Sequence, residues 1–104
     1  PESLRQLVLS YLSFGHPKIE EVADVSGLGV RSLQRRLEEH GLTYKLIVDQ
    51  ASFQKTQEYL HDPDFPLAEI AHQLGYFDQA NFNRAFRRWA GVAPSEYRLQ
   101  LHPR

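Results

Sequence analysis

Two stretches of this 104-residue chain repeat one another, and a repeat of this size marks two copies of one supersecondary unit. Shifted by 48 positions, Ile19, Val22, Ala23 and Gly27 fall on Leu67, Ile70, Ala71 and Gly75. Shifted by 49, Leu33, Gln34, Arg35 and Leu37 fall on Phe82, Asn83, Arg84 and Phe86, so the second copy has one extra residue in its turn. Each copy reads as short helix, tight turn, second helix, the pattern of a helix-turn-helix unit. Ala23 and Ala71 are small where the second helix must cross the first at close range. Gly27 and Gly75 follow four residues later, where the chain must turn through positive φ, which only glycine enters without a steric penalty. One Ala-x-x-x-Gly alone is weak evidence, because small residues at that spacing occur at many helix ends. Its recurrence ahead of two amphipathic helices with matched polar positions carries the weight.

The rest of the chain is also patterned as helix, and the alternation of half-buried strands is scarce. Leu4, Leu7, Val8, Tyr11 and Leu12 keep helical spacing up to a Gly15-His16-Pro17 stop. A short helix beginning at Ile19 closes at Ser26-Gly27, and Val30, Leu33 and Leu37 mark another that ends before Gly41. The longest uninterrupted stretch runs from about Thr43 to His61 and is stopped by Asp62-Pro63-Asp64-Phe65-Pro66. Leu67, Ile70, Ala71 and Leu74 give a second short helix, Phe82, Phe86 and Trp89 mark one before Gly91, and Pro94-Ser95-Glu96 opens the last with proline near its first turn. The prediction is an all-α chain of about seven helices: a first helix-turn-helix subdomain over 1–42, a linker helix over 43–62 and a second subdomain over 63–104. At this length the chain is one compact domain or two very small ones sharing a helix.

The second helix of each copy holds the candidate chemistry. At about 100° per residue, Val30, Leu33 and Leu37 share one face and Arg31, Gln34, Arg35 and Glu38 the opposite one. In the other copy Phe82, Phe86 and Trp89 face inward, whereas Ala80, Asn83, Arg84 and Arg87 face outward. The equivalent outward pairs are Arg31/Ala80, Gln34/Asn83 and Arg35/Arg84. Arginine can donate two hydrogen bonds to guanine O6 and N7, and Gln or Asn can pair with adenine N6 and N7, so these types in this pattern suit base edges in duplex DNA. A charged outward face on one helix would be an ordinary solvated surface. Gln/Asn followed by Arg at matched positions in both copies argues against that reading. The Phe82-Phe86-Trp89 stripe is assigned to the core rather than to base stacking. Arg36, Arg87 and Arg88 flank the outward faces and suit phosphates, as do Ser32 and Gln79 near the helix starts, where backbone N–H groups can join them.

Net charge argues the other way: 12 Lys and Arg against 13 Asp and Glu give −1, where nucleic-acid-binding domains are usually basic. The charge is unevenly divided, however. From Asn81 onward, Arg84, Arg87, Arg88, Arg98 and Arg104 stand against the single acid Glu96, whereas the first copy has Glu38 where the second has Arg87, with Glu39 beside it. The second unit is therefore expected to depend more on charge and the first more on base contacts.

Other chemistries find little support. The absence of cysteine excludes a disulfide scaffold, a thiolate zinc site and a cysteine nucleophile. The five histidines, His16, His40, His61, His72 and His102, show no i, i+4 pairing and no accompanying carboxylate set, so no metal and no cofactor is expected. No Gly-rich phosphate loop or nucleophile motif is present, and no enzyme is predicted. No run approaches the roughly 18 apolar residues of a membrane span, and no segment resembles a signal peptide. The expectation is a soluble cytoplasmic protein. A start at Pro1 with no methionine anywhere reads as a piece of something longer. The competing reading is a helical protein-interaction module whose arginines meet an acidic partner.

The segment Leu67 to Arg98 resembles the C-terminal signature of the AraC/XylS family of bacterial transcription activators: Ile70-Ala71 with Gly75, the aromatic after it, Phe82 and Phe86, Gly91, and the close Pro94-Ser95-Glu96-Tyr97-Arg98. Residues 20–37 resemble the first unit of the same family, so the likeness covers nearly the whole chain. It implies two homeodomain-like helix-turn-helix subdomains joined by a long helix, with two reading helices in adjacent major-groove segments on one face of double-stranded DNA. It implies base-facing positions at Arg31, Gln34 and Arg35 in the first unit and at Gln79, Ala80, Asn83 and Arg84 in the second. A linker helix of about 27 Å, at 1.5 Å per residue, is compatible with grooves about 34 Å apart. The resemblance further implies a cytoplasmic, nucleoid-associated regulator with RNA polymerase as a partner and an N-terminal effector or dimerisation domain preceding these residues. The chain departs from the family at Gly29 and Pro66, where serine is common at the helix start, and at Ser52 and Thr56, where the linker usually has Arg and Ala.

Overall fold

A computed structural model describes residues 2–11 and 18–103. Seven helices follow in order: α1 (Glu2–Tyr11), α2 (Ile19–Ser26), α3 (Val30–Glu39), α4 (Tyr44–Leu60), α5 (Leu67–Gln73), α6 (Gln79–Ala90) and α7 (Pro94–Leu101). The Gly15-His16-Pro17 stop expected after the first helix lies outside the described residues, as do Leu12, Arg104 and the side chains of Leu4 and Tyr11.

The repeat is reproduced bond for bond in the two turns. Gly27 takes φ 76° and Gly75 φ 82°. The N–H of Leu28 reaches the carbonyl of Ala23 at 3.0 Å and that of Gly27 the carbonyl of Asp24 at 3.2 Å. In the second copy Tyr76 reaches Ala71 and Gly75 reaches His72, both at 3.0 Å. These paired bonds satisfy the last carbonyls of α2 and α5 and fix the angle at which the next helix leaves.

The helix starts differ in how they are capped. Asp78 accepts from the Asn81 N–H at 2.8 Å ahead of α6, and Thr43 accepts from the Leu46 N–H at 3.1 Å ahead of α4. Gly29 ahead of α3 and Pro66 ahead of α5 supply no side-chain bond, as their side chains dictate. Pro94 stands in the first turn of α7, where the missing N–H costs nothing.

Helix α1 packs on α4, α2 on α3 and α5 on α6, while α4 also meets α6 and α7. One buried apolar cluster runs through both halves, from Val8, Val22, Leu33 and Leu37 across Ile47, Ala51 and Leu60 to Ile70, Leu74, Phe82 and Phe86. The linker helix is therefore a beam embedded in the core at both ends rather than an exposed spacer. Its 17 residues span about 26 Å at 1.5 Å per residue. The molecule is correspondingly elongated, 48 × 24 × 20 Å. At the middle of the beam Thr56 and Ser52 are buried, and the Thr56 hydroxyl donates to the Ser52 carbonyl at 2.8 Å. The Ser52 hydroxyl is buried without a hydrogen-bond partner. No described helix is long and apolar enough to cross a membrane.

The last helix and the residue after it are tied to the C-terminal part of α4 and to the loop that follows it. The Arg98 guanidinium donates to the Phe65 carbonyl, the His102 ring lies 3.0 Å from the Leu60 carbonyl, and Gln57 donates to the Tyr97 hydroxyl at 2.9 Å. Arg98, counted from sequence in the basic face of the second unit, is thus a fastener between α7 and that loop. A carbonyl 33 residues away claims it, and no helical wheel contains that information.

Candidate nucleic-acid interface

The two reading helices turn their apolar residues inward. Leu33 and Leu37 of α3 are buried, and so are Phe82, Ala85 and Phe86 of α6. Phe86 sits at the centre of an aromatic nest, with ring centroids 5.4 Å from Tyr97, 5.6 Å from Phe53 and 6.1 Å from Trp89, mostly edge to face. Edge-to-face packing sets positive ring edges against negative faces and fixes the rotation of α6 on the linker helix. Trp89 is only half-buried at the rim of this nest, with its indole N–H buried and unpartnered. The stripe is core, as its spacing indicates.

On the opposite faces, Arg31, Gln34, Arg35 and Arg36 of α3 are exposed, and Ser32 is half-buried. On α6, Gln79, Ala80, Arg84, Arg87 and Arg88 are exposed. Asn83 is half-buried, and its amide oxygen is buried without a partner, so it sits deeper than its counterpart Gln34. Arg84 donates to the Asn81 side-chain oxygen one turn earlier on its own helix. That bond holds the guanidinium along the helix surface.

Arg88 has a second role within the fold. Its guanidinium lies 3.9 Å from the carboxylate of Asp49 on α4, a partly exposed pair of small energetic weight that still occupies the cation. Burial pushes the nearby Tyr76 phenol up to about 12, with Asp49 raising it further and Arg88 opposing. Tyr44, at the start of the linker helix, is pushed up to about 12 by burial first and by Glu21 and Glu20 after that. Both phenols are neutral at neutral pH.

The basic surplus assigned from sequence to the second unit shrinks accordingly. Arg98 fastens α7 and Arg88 faces Asp49, which leaves Arg84 and Arg87 on α6 against Arg31, Arg35 and Arg36 on α3. Sequence reasoning also passed over the residue that makes the second turn longer. Leu28 and Tyr76 correspond at a shift of 48, and the caps Gly29 and Asp78 at 49, so Phe77 is the extra residue, 93% exposed. The change of shift from 48 to 49 was the signal that could have found it.

Residues 22–100 match the family model described as "Helix-turn-helix domain". The chain belongs to that family, in its AraC/XylS form. Among curated relatives, the ornithine utilization regulator of Pseudomonas aeruginosa is 42% identical over 82 residues, a match covering 79% of this chain and 24% of that protein. The solved structure of the transcriptional regulator CdpR from Pseudomonas aeruginosa is similar at 33% identity with a TM-score of 0.77, covering 91% of this chain and 31% of that one. The fold is shared with an AraC-type regulator from Chromobacterium violaceum, at a TM-score of 0.87 and 16% identity over 98% of this chain and 91% of that one. The chain spans about a quarter of the length of the ornithine utilization regulator. The chain is a helix-turn-helix domain, and the curated relatives it matches are transcription regulators.

Proposed function

We propose that the chain reads double-stranded DNA by sequence with both units, α3 and α6 lying in successive major-groove segments, as the DNA-binding part of a longer bacterial transcription regulator. The observation that carries this reading is the outward placement of matched polar side chains, exposed Arg35 with exposed Arg84 and exposed Gln34 with half-buried Asn83, on two repeated helices that share one buried core with the linker helix. Arg31, Gln34 and Arg35, with Gln79, Ala80, Asn83 and Arg84, take base edges in this reading, while Ser32, Arg36 and Arg87 take phosphates and Arg88 joins them by leaving its weak pair with Asp49. The division into a first unit over 1–42, a linker over 43–62 and a second unit over 63–104 follows the same logic. A preceding effector or dimerisation domain, contact with RNA polymerase and a cytoplasmic, nucleoid-associated location complete the proposal.

The test has two stages. Affinity for random duplex, followed by fluorescence anisotropy, should fall steeply as salt rises, because each neutralised phosphate releases a counterion. Selection from a random duplex pool should then yield a site with two information-rich blocks about one helical turn apart. Absence of duplex affinity at low salt would overturn the reading and favour a helical module for an acidic protein partner. A selected site with a single block would show that one unit supports and only the other reads.

A further inference from the structure

The two turns differ by one residue, and that residue is an aromatic ring standing in solvent. Phe77 lies between Tyr76, whose backbone closes the α5 turn, and Asp78, whose carboxylate caps α6 through the Asn81 N–H at 2.8 Å. Both neighbours are fastened, so the turn holds Phe77 at the N-terminal mouth of the second reading helix rather than on a loose loop. At 93% exposure it is the most exposed large apolar side chain described, ahead of Leu99 at 60% and Val25 at 56%. Ala80, three residues later in the first turn of α6, is also exposed and adds a second apolar group at the same end of the helix. The first unit has nothing equivalent, for Leu28 passes directly to the cap Gly29.

We infer that Phe77 is a specificity-determining residue that packs on the C5-methyl group of a thymine at the edge of the sequence read by α6. The inference rests on the proposed seating of α6 in a major groove. In that seating the N-terminal residues of the reading helix meet base edges, and the residue just before the cap meets the groove at the same end. The thymine methyl is the one apolar group that base pairs present in the major groove, and phenylalanine side chains are among those that contact it. A polar residue there could take a phosphate. Phe77 can gain only by removing apolar surface from water, which selects the methyl over the sugar–phosphate oxygens. The Asp78 carboxylate that caps α6 is exposed and stays charged beside the ring, which disfavours phosphate oxygens at this end of the helix and leaves the base edge to Phe77.

Deoxyuridine lacks only that methyl group and gives a clean test. Duplexes are selected from a random pool with the unaltered chain, and each thymine of the selected site is replaced in turn by deoxyuridine. One replacement at the α6 end should weaken binding by roughly fourfold, the worth of burying about one methyl or methylene group. Phe77→Ala should bind the thymine duplex about as weakly and should be indifferent to that same replacement, while its unfolding temperature stays unchanged because the ring touches little of the fold. If every deoxyuridine replacement affects both proteins alike, the inference is overturned although the DNA-reading proposal stands. It is equally overturned if Phe77→Ala binds the selected thymine duplex as tightly as the unaltered chain. Failure of the pool to yield any preferred duplex would overturn the underlying reading instead.

Discussion

Gly27 and Gly29 stand two residues apart in one turn, and a Cβ built on either would meet nothing within 4 Å. They differ in φ: 76° at Gly27 and −72° at Gly29. The second value, with ψ 158°, is extended backbone that any residue adopts, and it sits at the N-cap of α3, where glycine offers no acceptor. Gly29→Ser would supply a hydroxyl within reach of the N–H groups of Arg31 or Ser32, as Thr43 does for Leu46 and Asp78 for Asn81. Replacing a glycine cap gains a few tenths of a kcal/mol. Lowering the entropy of the unfolded chain adds about 0.4–1 kcal/mol. The sum is about 1 kcal/mol, which for a domain of this size raises the unfolding midpoint by about 4–5 °C. Gly27→Ser should instead lower the midpoint, since a Cβ in the left-handed region costs about 1–2 kcal/mol. Thermal unfolding followed by circular dichroism separates the two. A midpoint unchanged or lowered by Gly29→Ser, or equal shifts from the two substitutions, would refute the assignment of turn geometry on which the relation of α2 to α3 rests.

Ser52→Ala should stabilise the chain by about 1–2 kcal/mol, because it removes a buried hydroxyl with no partner and places a better helix former in α4. The urea midpoint should rise with an unchanged slope, and a fall would mean that the hydroxyl is satisfied. With Tyr44 and Tyr76 pushed to about 12, the unfolded chain releases protons from about pH 10 while the folded one keeps them. Stability should therefore be undiminished below pH 10 and fall as pH rises towards 12, and Tyr44→Phe with Tyr76→Phe should flatten the decline in urea midpoints. Arg84→Ala should cost about 1–3 kcal/mol on a selected duplex and relax preference at one base pair, whereas equal loss on every sequence would make Arg84 a phosphate ligand.

What could be read in advance was local. The turns at Gly27 and Gly75, the proline in the first turn of α7, the uncapped starts of α3 and α5 and the inward stripes of α3 and α6 all depend on residues within about one helical turn. What could not be read depends on which helix lies beside which. The faces of Arg98 and Arg88 follow from periodicity, but their partners Phe65 and Asp49 lie 33 and 39 residues away. Asn83 is outward on its own helix and yet half-covered, because a wheel sorts a helix by its own axis and not by its neighbours. Ser52 and Thr56, noted from sequence only as departures from the family pattern, are polar and yet buried, because that helix is packed at both ends.

The division of labour between the two units changes with those partners. From charge along the chain, the second unit looked basic and the first balanced. With Arg98 holding the Phe65 carbonyl and Arg88 set against Asp49, the exposed guanidinium groups among the described residues that are not engaged elsewhere in the fold, or are held only by Asn81, are Arg31, Arg35 and Arg36 on α3 and Arg84 and Arg87 on α6. Glu38 and Glu39 offset the first set near the C-terminal end of α3. The difference between the units therefore lies less in the number of available cations than in the helix mouths. The first begins at a bare glycine, with Arg31 in its first turn. The second begins at a fastened carboxylate flanked by Phe77 and Ala80. Salt should then weaken the contributions of both units to a similar degree, and removal of thymine methyl groups should weaken mainly the second.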